Sequence, residues 1–226
     1  MASGLPRVEN LSLENCPQVT DDDLMVLASV PVIPHNFRCV KLSGCWGVTG
    51  AGLKHLANFH ELWVLHLTCS GLTDDVLTMI AHALPSLRQV ELGGCWNLSN
   101  DGLASFVAPL KFLQRLKLVR CIQLSDVGMA AIAHVQAVHR SLLELELSGC
   151  ADVTDDGILS LATFVRTLTH LQIVGCPGVT DHGLAHLCRL LPLLQHLKLG
   201  GAGCTSITDS GLMHISRSLL HLHYLS

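Results

Sequence analysis

Residues 145–158 read Leu-Glu-Leu-Ser-Gly-Cys-Ala-Asp-Val-Thr-Asp-Asp-Gly-Ile, and this stretch decides the fold. Leu145 and Leu147 alternate with Glu146 and Ser148, the two-residue period of a strand with one buried face. After Val153 the chain turns, and Leu161, Ala162 and Val165 continue at helical spacing. Thr154 is an N-cap residue type, able to accept a hydrogen bond from an orphan amide in the helix's first turn. Asp155 then sets a negative charge at the positive end of the helix dipole. One unit is therefore strand, turn, capped helix and a short return.

The same phrase recurs along the chain. LSLENCPQVTDDDL starts at Leu11, VKLSGCWGVTGAGL at Val40, VELGGCWNLSNDGL at Val90, LKLVRCIQLSDVGM at Leu116 and LQIVGCPGVTDHGL at Leu171. Two degenerate copies, LHLTCSGLTDDVL from Leu65 and LKLGGAGCTSITDSGL from Leu197, complete about eight repeats of roughly 26 residues. Cys16, Cys45, Cys95, Cys121, Cys150 and Cys176 hold one position, while Thr20, Thr49, Thr73, Ser99, Ser125, Thr154, Thr180 and Thr208 hold the cap. A fixed period of this length implies a solenoid whose units bury their apolar faces against their neighbours. The expectation is an α/β horseshoe, with parallel strands on the concave face and helices on the convex face, in a single domain over 1–226.

The repeated pattern L-x-x-L-x-L-x-x-C-x-x-[VIL]-[ST]-D-x-G-L resembles the cysteine-containing subfamily of leucine-rich repeats, over essentially all of residues 5–226. That subfamily is best known from F-box/LRR proteins, the substrate-recognition subunits of Skp–cullin–F-box ubiquitin ligases. The resemblance implies a recognition module that presents a bound protein for ubiquitination. No F-box is read ahead of the first repeat, and a ninth repeat begins at about 219–226. The expectation from both ends is a fragment of a longer protein, or ends covered by neighbouring subunits. A non-enzymatic protein–protein interaction scaffold within a larger complex therefore ranks first and ligase substrate recognition second.

Composition narrows the classes. A net charge of −4, with 14 Lys plus Arg in 226 residues, argues against nucleic acid as the main partner. No apolar run approaches the roughly 20 residues of a membrane span, and no secretory signal is visible at the N-terminus. Six of the ten cysteines share one column, where parallel side chains make poor disulfide geometry. They read as buried reduced thiols, which points to the cytoplasm or nucleus. Neither a nucleophile–base pair nor a phosphate-cradling loop occurs. His182 and His186 stand four apart near a helix start with Cys188 nearby, too few converging ligands for a metal site. No enzyme activity, cofactor or metal is expected.

Strand alternation names the concave strip: Lys41, His66, Glu91, Arg115, Lys117, Glu144, Glu146, His170 and Lys198. At a strand spacing of about 4.8 Å, Glu91, Lys117 and Glu146 should form an alternating ladder beside Arg115 and Glu144. No large aromatic is read on this face. Trp46 and Trp96 directly follow column cysteines and Trp63 precedes the third strand. Packing over the core is the first expectation for them; exposed, they are candidate edge anchors for a partner. The irregular places are Cys69-Ser70 in the shortened third loop, Ala202 in the eighth, and the long returns at 30–36 and 134–141.

Overall fold

The computed structural model describes residues 8–30, 37–68, 71–201 and 205–226. The irregularities at Cys69-Ser70 and Ala202, and the return at 31–36, lie outside these residues. Among these residues the strands and helices follow the repeat as read. The strands are β1 (Asn10–Ser12), β2 (Cys39–Lys41), β3 (Val64–Thr68), β4 (Gln89–Gly93), β5 (Arg115–Val119), β6 (Glu144–Ser148), β7 (His170–Val174), β8 (His196–Gly200) and β9 (Tyr224–Leu225). They pair in parallel, in chain order, as one open sheet. Register is unshifted, so Leu65, Val90, Leu116, Leu145, Leu171 and Leu197 form one buried column and His66, Glu91, Lys117, Glu146, Gln172 and Lys198 the facing one.

The helices are α1 (Asp21–Ser29), α2 (Gly50–Leu53), α3 (Asp74–Ala83), α4 (Asn100–Val107), α5 (Asp126–His134), α6 (Gln136–Ser141), α7 (Asp155–Phe164), α8 (Asp181–Leu190) and α9 (Asp209–Ser218). A 3-10 turn, Lys54–Asn58, extends the short α2. The long return at 134–141, read as loop variation, is mostly α6. Val138 anchors it in the core, and Thr167 of the next repeat donates to the carbonyls of His139 and Leu142. One apolar cluster runs the length of the array between sheet and helices, with no buried polar or charged residue among those described.

Two contacts between repeats carry the array, and both revise what the sequence suggests. The first involves the aspartates expected to serve their own helix dipole. Five of the six, all but Asp209 of the last helix, reach the next repeat instead. Asp126 accepts from the Thr154 amide at 2.7 Å and the Thr154 hydroxyl at 2.6 Å, and Asp21–Thr49, Asp74–Ser99, Asp155–Thr180 and Asp181–Thr208 repeat the arrangement. Asn100 takes the same place with one bond reversed: its Oδ1 accepts from the Ser125 amide and its Nδ2 donates to the Ser125 hydroxyl, both at 3.0 Å. The capping bonds accepted by Thr49, Ser99, Thr154, Thr180 and Thr208 are longer, at 3.1–3.3 Å. A short bond to a carboxylate is the stronger of the two, so inter-repeat donation is the hydroxyl's main work.

The rung explains a glycine that helix propensity disfavours. Gly52, Gly102, Gly128, Gly157, Gly183 and Gly211 all lie inside helices, and a Cβ at any of them would fall inside the contact distance of the preceding repeat's Asp or Asn side chain. The exception supports the rule. Gly50 takes the Asp position in the second repeat and cannot form a rung, and the third repeat carries Val76 in place of glycine. Val76 fills that space, its Cγ2 standing 3.1 Å from where a Gly50 Cβ would be.

The second contact is the cysteine column. Cys45, Cys95, Cys121, Cys150 and Cys176 are fully buried, while Cys16 is only partly so. The thiols are more than filler. Cys45 donates to the Leu13 carbonyl at 2.8 Å, and Cys121, Cys150 and Cys176 donate to Leu92, Leu118 and Leu147 at 3.5–3.6 Å, each in the preceding repeat. Burial pushes the Cys150 thiol up to about 12. Cys121 runs the other way, lowered by a hydrogen bond from Cys95 that outweighs burial, although no basic residue is involved.

Candidate functional site

The concave strip forms where the strand alternation places it. Lys117 Nζ lies 3.9 Å from Glu91 and 3.6 Å from Glu146, and Arg115 Nε lies 2.9 Å from Glu144. His66 Nδ1 is 3.6 Å from Glu91, and Lys41 reaches Glu14 at 4.0 Å. Burial, joined by Lys41 and Lys117 and opposed by Glu91, holds the His66 imidazole below its usual 6.5. The network is thus self-paired at neutral pH, and partly exposed pairs of this kind are worth only about 0–1 kcal/mol each. They fix side-chain positions more than they stabilise the fold.

The C-terminal third of the strip differs. His170 stacks on His196 with centroids 4.1 Å apart, and His196 on Tyr224 at 5.9 Å. Burial lowers the His170 value, with Glu144 opposing and His196 adding to the fall. The expectation that this face lacks a large aromatic therefore fails at Tyr224, which the incipient ninth strand carries into the outermost column. Lys198, in the neighbouring column, forms no ion pair among the described residues. His182 and His186 touch through Nε2 at 3.2 Å on the exposed side of α8, with Arg189 at 3.4 Å from His186. Among the described residues no group of three or more His, Cys, Asp or Glu side chains is arranged to hold an ion.

The tryptophans divide. Trp63 lies between Arg38 and Arg88, whose guanidinium carbons stand 4.5 and 4.8 Å from its ring, so it is already engaged. Trp46 and Trp96 are 65% and 56% exposed, against the expectation that they cap the core. The cysteine before each fills the core position, and the left-handed glycine before that, at φ 79° for Gly44 and 60° for Gly94, turns the chain outward. The two indoles flank a cavity of about 340 Å³ that Thr68, Glu91, Gly93, Gly94, Val119 and Arg120 complete.

Arg120 is the residue that sequence reasoning missed. It occupies the column of Gly44, Gly94, Gly149, Gly175 and Gly201 with φ at 53°, a left-handed conformation that costs a side chain about 1–2 kcal/mol. The signal was present in the sequence, since the fifth phrase reads Val-Arg-Cys where the sixth reads Ser-Gly-Cys.

Comparison with known proteins places this geometry. A family model described as Leucine Rich repeat matches residues 138–162. A search of the curated proteins finds no match to the sequence. Among solved structures, LegL7 from Legionella pneumophila is similar at a TM-score of 0.59 and 18% identity, over 96% of this chain and 72% of that one. A chain of the yeast Rad7–Elc1 complex is similar at 0.50 and 17%, over 94% and 67%. TLR13, in its complex with ssRNA13, is similar at 0.52 and 16%, over 97% of this chain but 27% of that one. At such identities the likeness is one of fold. No helix among the described residues is long and apolar enough to cross a membrane. Phrase, sheet and neighbours agree: the chain has the leucine-rich repeat fold.

Proposed function

We propose that this chain is a non-enzymatic protein–protein interaction scaffold, working as a subunit or module of a larger complex. The observation that carries this reading is the pair of exposed indoles, Trp46 and Trp96, on a backbone whose other large apolar side chains are mostly buried. Exposed rigid rings cost solubility and add nothing to the core, and such rings dominate protein-binding hot spots. The concave strip from Lys41 to Lys198 would supply orientation and charge selectivity rather than bulk affinity. A reducing compartment, cytoplasm or nucleus, fits the thiol donors of the cysteine column, since an oxidised sulfur has no hydrogen to give.

Affinity capture from cell extract tests the reading, comparing the wild-type chain with Glu91→Lys/Glu146→Lys and Trp46→Ala/Trp96→Ala. A protein retained by the wild type and lost with either pair supports it. Capture that ignores both pairs counts against it.

The second reading is substrate recognition within a Skp–cullin–F-box ubiquitin ligase. The cysteine-containing phrase favours it, and the likeness to a chain of the Rad7–Elc1 complex is compatible with it. Its mechanism is display, a rigid arc holding a substrate segment in reach of ubiquitin transfer. Co-purification of a Skp1-type adaptor with the natural protein supports this version, and a stable particle lacking any such adaptor counts against it.

A further inference from the structure

Among the described residues, the large exposed apolar side chains that directly follow a column cysteine fall in one stretch. Trp46, Trp96 and Ile122 each directly follow a column cysteine, in the second, fourth and fifth repeats, and Ile122 is 53% exposed. The equivalent positions in the first, sixth and seventh repeats are Pro17, Ala151 and Pro177. The third repeat has a loop one residue shorter and no aromatic residue between Thr68 and Thr73. Trp46 and Trp96 follow strands two apart, about 10 Å at the usual spacing, and both line the cavity, which forms a notch beside them.

Gly93 and Gly94 leave that notch open at its floor. A Cβ on Gly93 would meet the Thr68 hydroxyl at 2.9 Å, so no larger side chain fits at that point of the notch. Its volume, about 340 Å³, suits a short peptide segment rather than a folded surface.

Charge then selects the occupant. Glu91 lines the notch, but His66 and Lys117 already face its carboxylate at 3.6 and 3.9 Å. Arg120, which also lines the notch, is exposed and forms no ion pair among the described residues. It also holds a left-handed backbone conformation that five other repeats give to glycine. Strain kept at an exposed residue whose charge has no ion-pair partner among the described residues is a mark of use outside the fold. A methylated or basic ligand between the indoles would meet this guanidinium and be repelled.

Resting on the scaffold reading, we propose that the Trp46–Trp96 notch docks an extended segment of a partner protein. An apolar side chain of that segment seats between the indoles, and an adjacent carboxylate pairs with Arg120. The rim toward Ile122 covers the next apolar residue along. The net charge of −4 and the Glu91 floor favour a peptide over a nucleic acid, whose phosphates they repel.

A random peptide display library, selected on the full chain and counter-selected on Trp46→Ala/Trp96→Ala, tests this. Enriched peptides should carry an acidic residue beside an apolar one. A synthetic copy of the best should shift the Trp46 and Trp96 indole NMR signals and leave Trp63 alone. Arg120→Glu should weaken it by about tenfold or more. Arg120→Gly should weaken it while raising the urea midpoint, a combination that no unfolding artefact produces. The proposal is overturned by no enrichment, by basic consensus sequences, by binding indifferent to Arg120, or by an oligothymidine that outcompetes the peptide at the same indoles. If display fails while Glu91→Lys/Glu146→Lys still abolishes partner capture, the scaffold stands and this site falls.

Discussion

The pairing of each rung with a glycine in the next repeat can be tested by a double-mutant cycle at Asp126 and Gly157. Asp126 accepts two bonds from Thr154, at 2.7 and 2.6 Å, in a half-buried site. Hydrogen bonds to charged groups contribute about 1.5–3 kcal/mol each when buried. Partial access of water argues for the low end, so Asp126→Ala should cost about 3 kcal/mol. Gly157→Ala alone brings a methyl group into the carboxylate and within 3.3 Å of the Asp126 Cα. The carboxylate must swing away and weaken both bonds. Set against the roughly 1 kcal/mol that Ala gains over Gly in a helix, the net cost should be about 2 kcal/mol. With Asp126 already Ala, the methyl meets mainly the flexible Met129 side chain, at 3.2 Å, and the propensity gain survives. The double variant should therefore lose about 2–3 kcal/mol rather than the sum of about 5, a coupling of about 2 kcal/mol or more. Urea unfolding followed by circular dichroism measures all four corners of the cycle. Additive losses would refute the pairing of rung and glycine, and with it the explanation of Val76.

Four further outcomes follow from the same geometry. Arg120→Gly should stabilise the chain by about 1 kcal/mol by relieving its left-handed backbone, read as a higher urea midpoint; an unchanged or lower midpoint contradicts the strain. Acidification should act in two windows. His66 and His170 are held below 6.5, so the native state binds fewer protons than the unfolded chain and stability declines as pH falls through that value. At Asp21 burial raises the carboxyl value, but the Thr49 hydroxyl and amide outweigh it, while at Asp181 the Thr208 hydroxyl and amide lead; both end below 3.8. Their stabilisation is complete above that value and disappears as pH drops beneath it, so a urea midpoint flat from pH 7 to pH 3 would contradict both windows. Acrylamide should quench two of the three tryptophans strongly, and the residual protected signal should vanish in Trp63→Phe; protection of all three sinks the exposed-anchor geometry. Iodoacetamide should leave Cys150 and Cys188 unlabelled in the native chain, since burial pushes their thiols up to about 12 and about 11 and only the thiolate reacts; rapid native labelling of either contradicts their burial.

Architecture was legible because burial and period are local properties of the phrase. Strand alternation put Glu91, Lys117 and Glu146 on one face, and the unshifted register then brought them into ion-pair contact. What one repeat cannot show is its relation to the next. The Asp of the cap was read against its own helix, yet its carboxylate serves the following repeat, which only stacking reveals. The loss of Asp at Gly50 together with glycine at Val76 held that information in the sequence, but as a correlation across two phrases. Trp46 and Trp96 are expected to pack over the core, as a tryptophan after this cysteine often does in the family the phrase resembles. The left-handed residue before the cysteine turns the indoles outward, and backbone sign is invisible in a hydrophobic pattern. Tyr224 escaped because its strand was read only as the start of another repeat. Arg120 is not legible as a site because a left-handed backbone position leaves no mark in a hydrophobic pattern beyond the glycine that usually fills it.

The claim on which the functional reading rests is that this fold acts by display, through the sheet face and the indole rim of repeats two to five. Hydrogen exchange of the natural protein, alone and bound to its captured partner, measures it most directly. Protection on binding should concentrate on 44–48, 91–98 and 117–122, with the α7–α9 helical surface unchanged. Protection confined to the helices, with the rim exchanging as in the free chain, would contradict it.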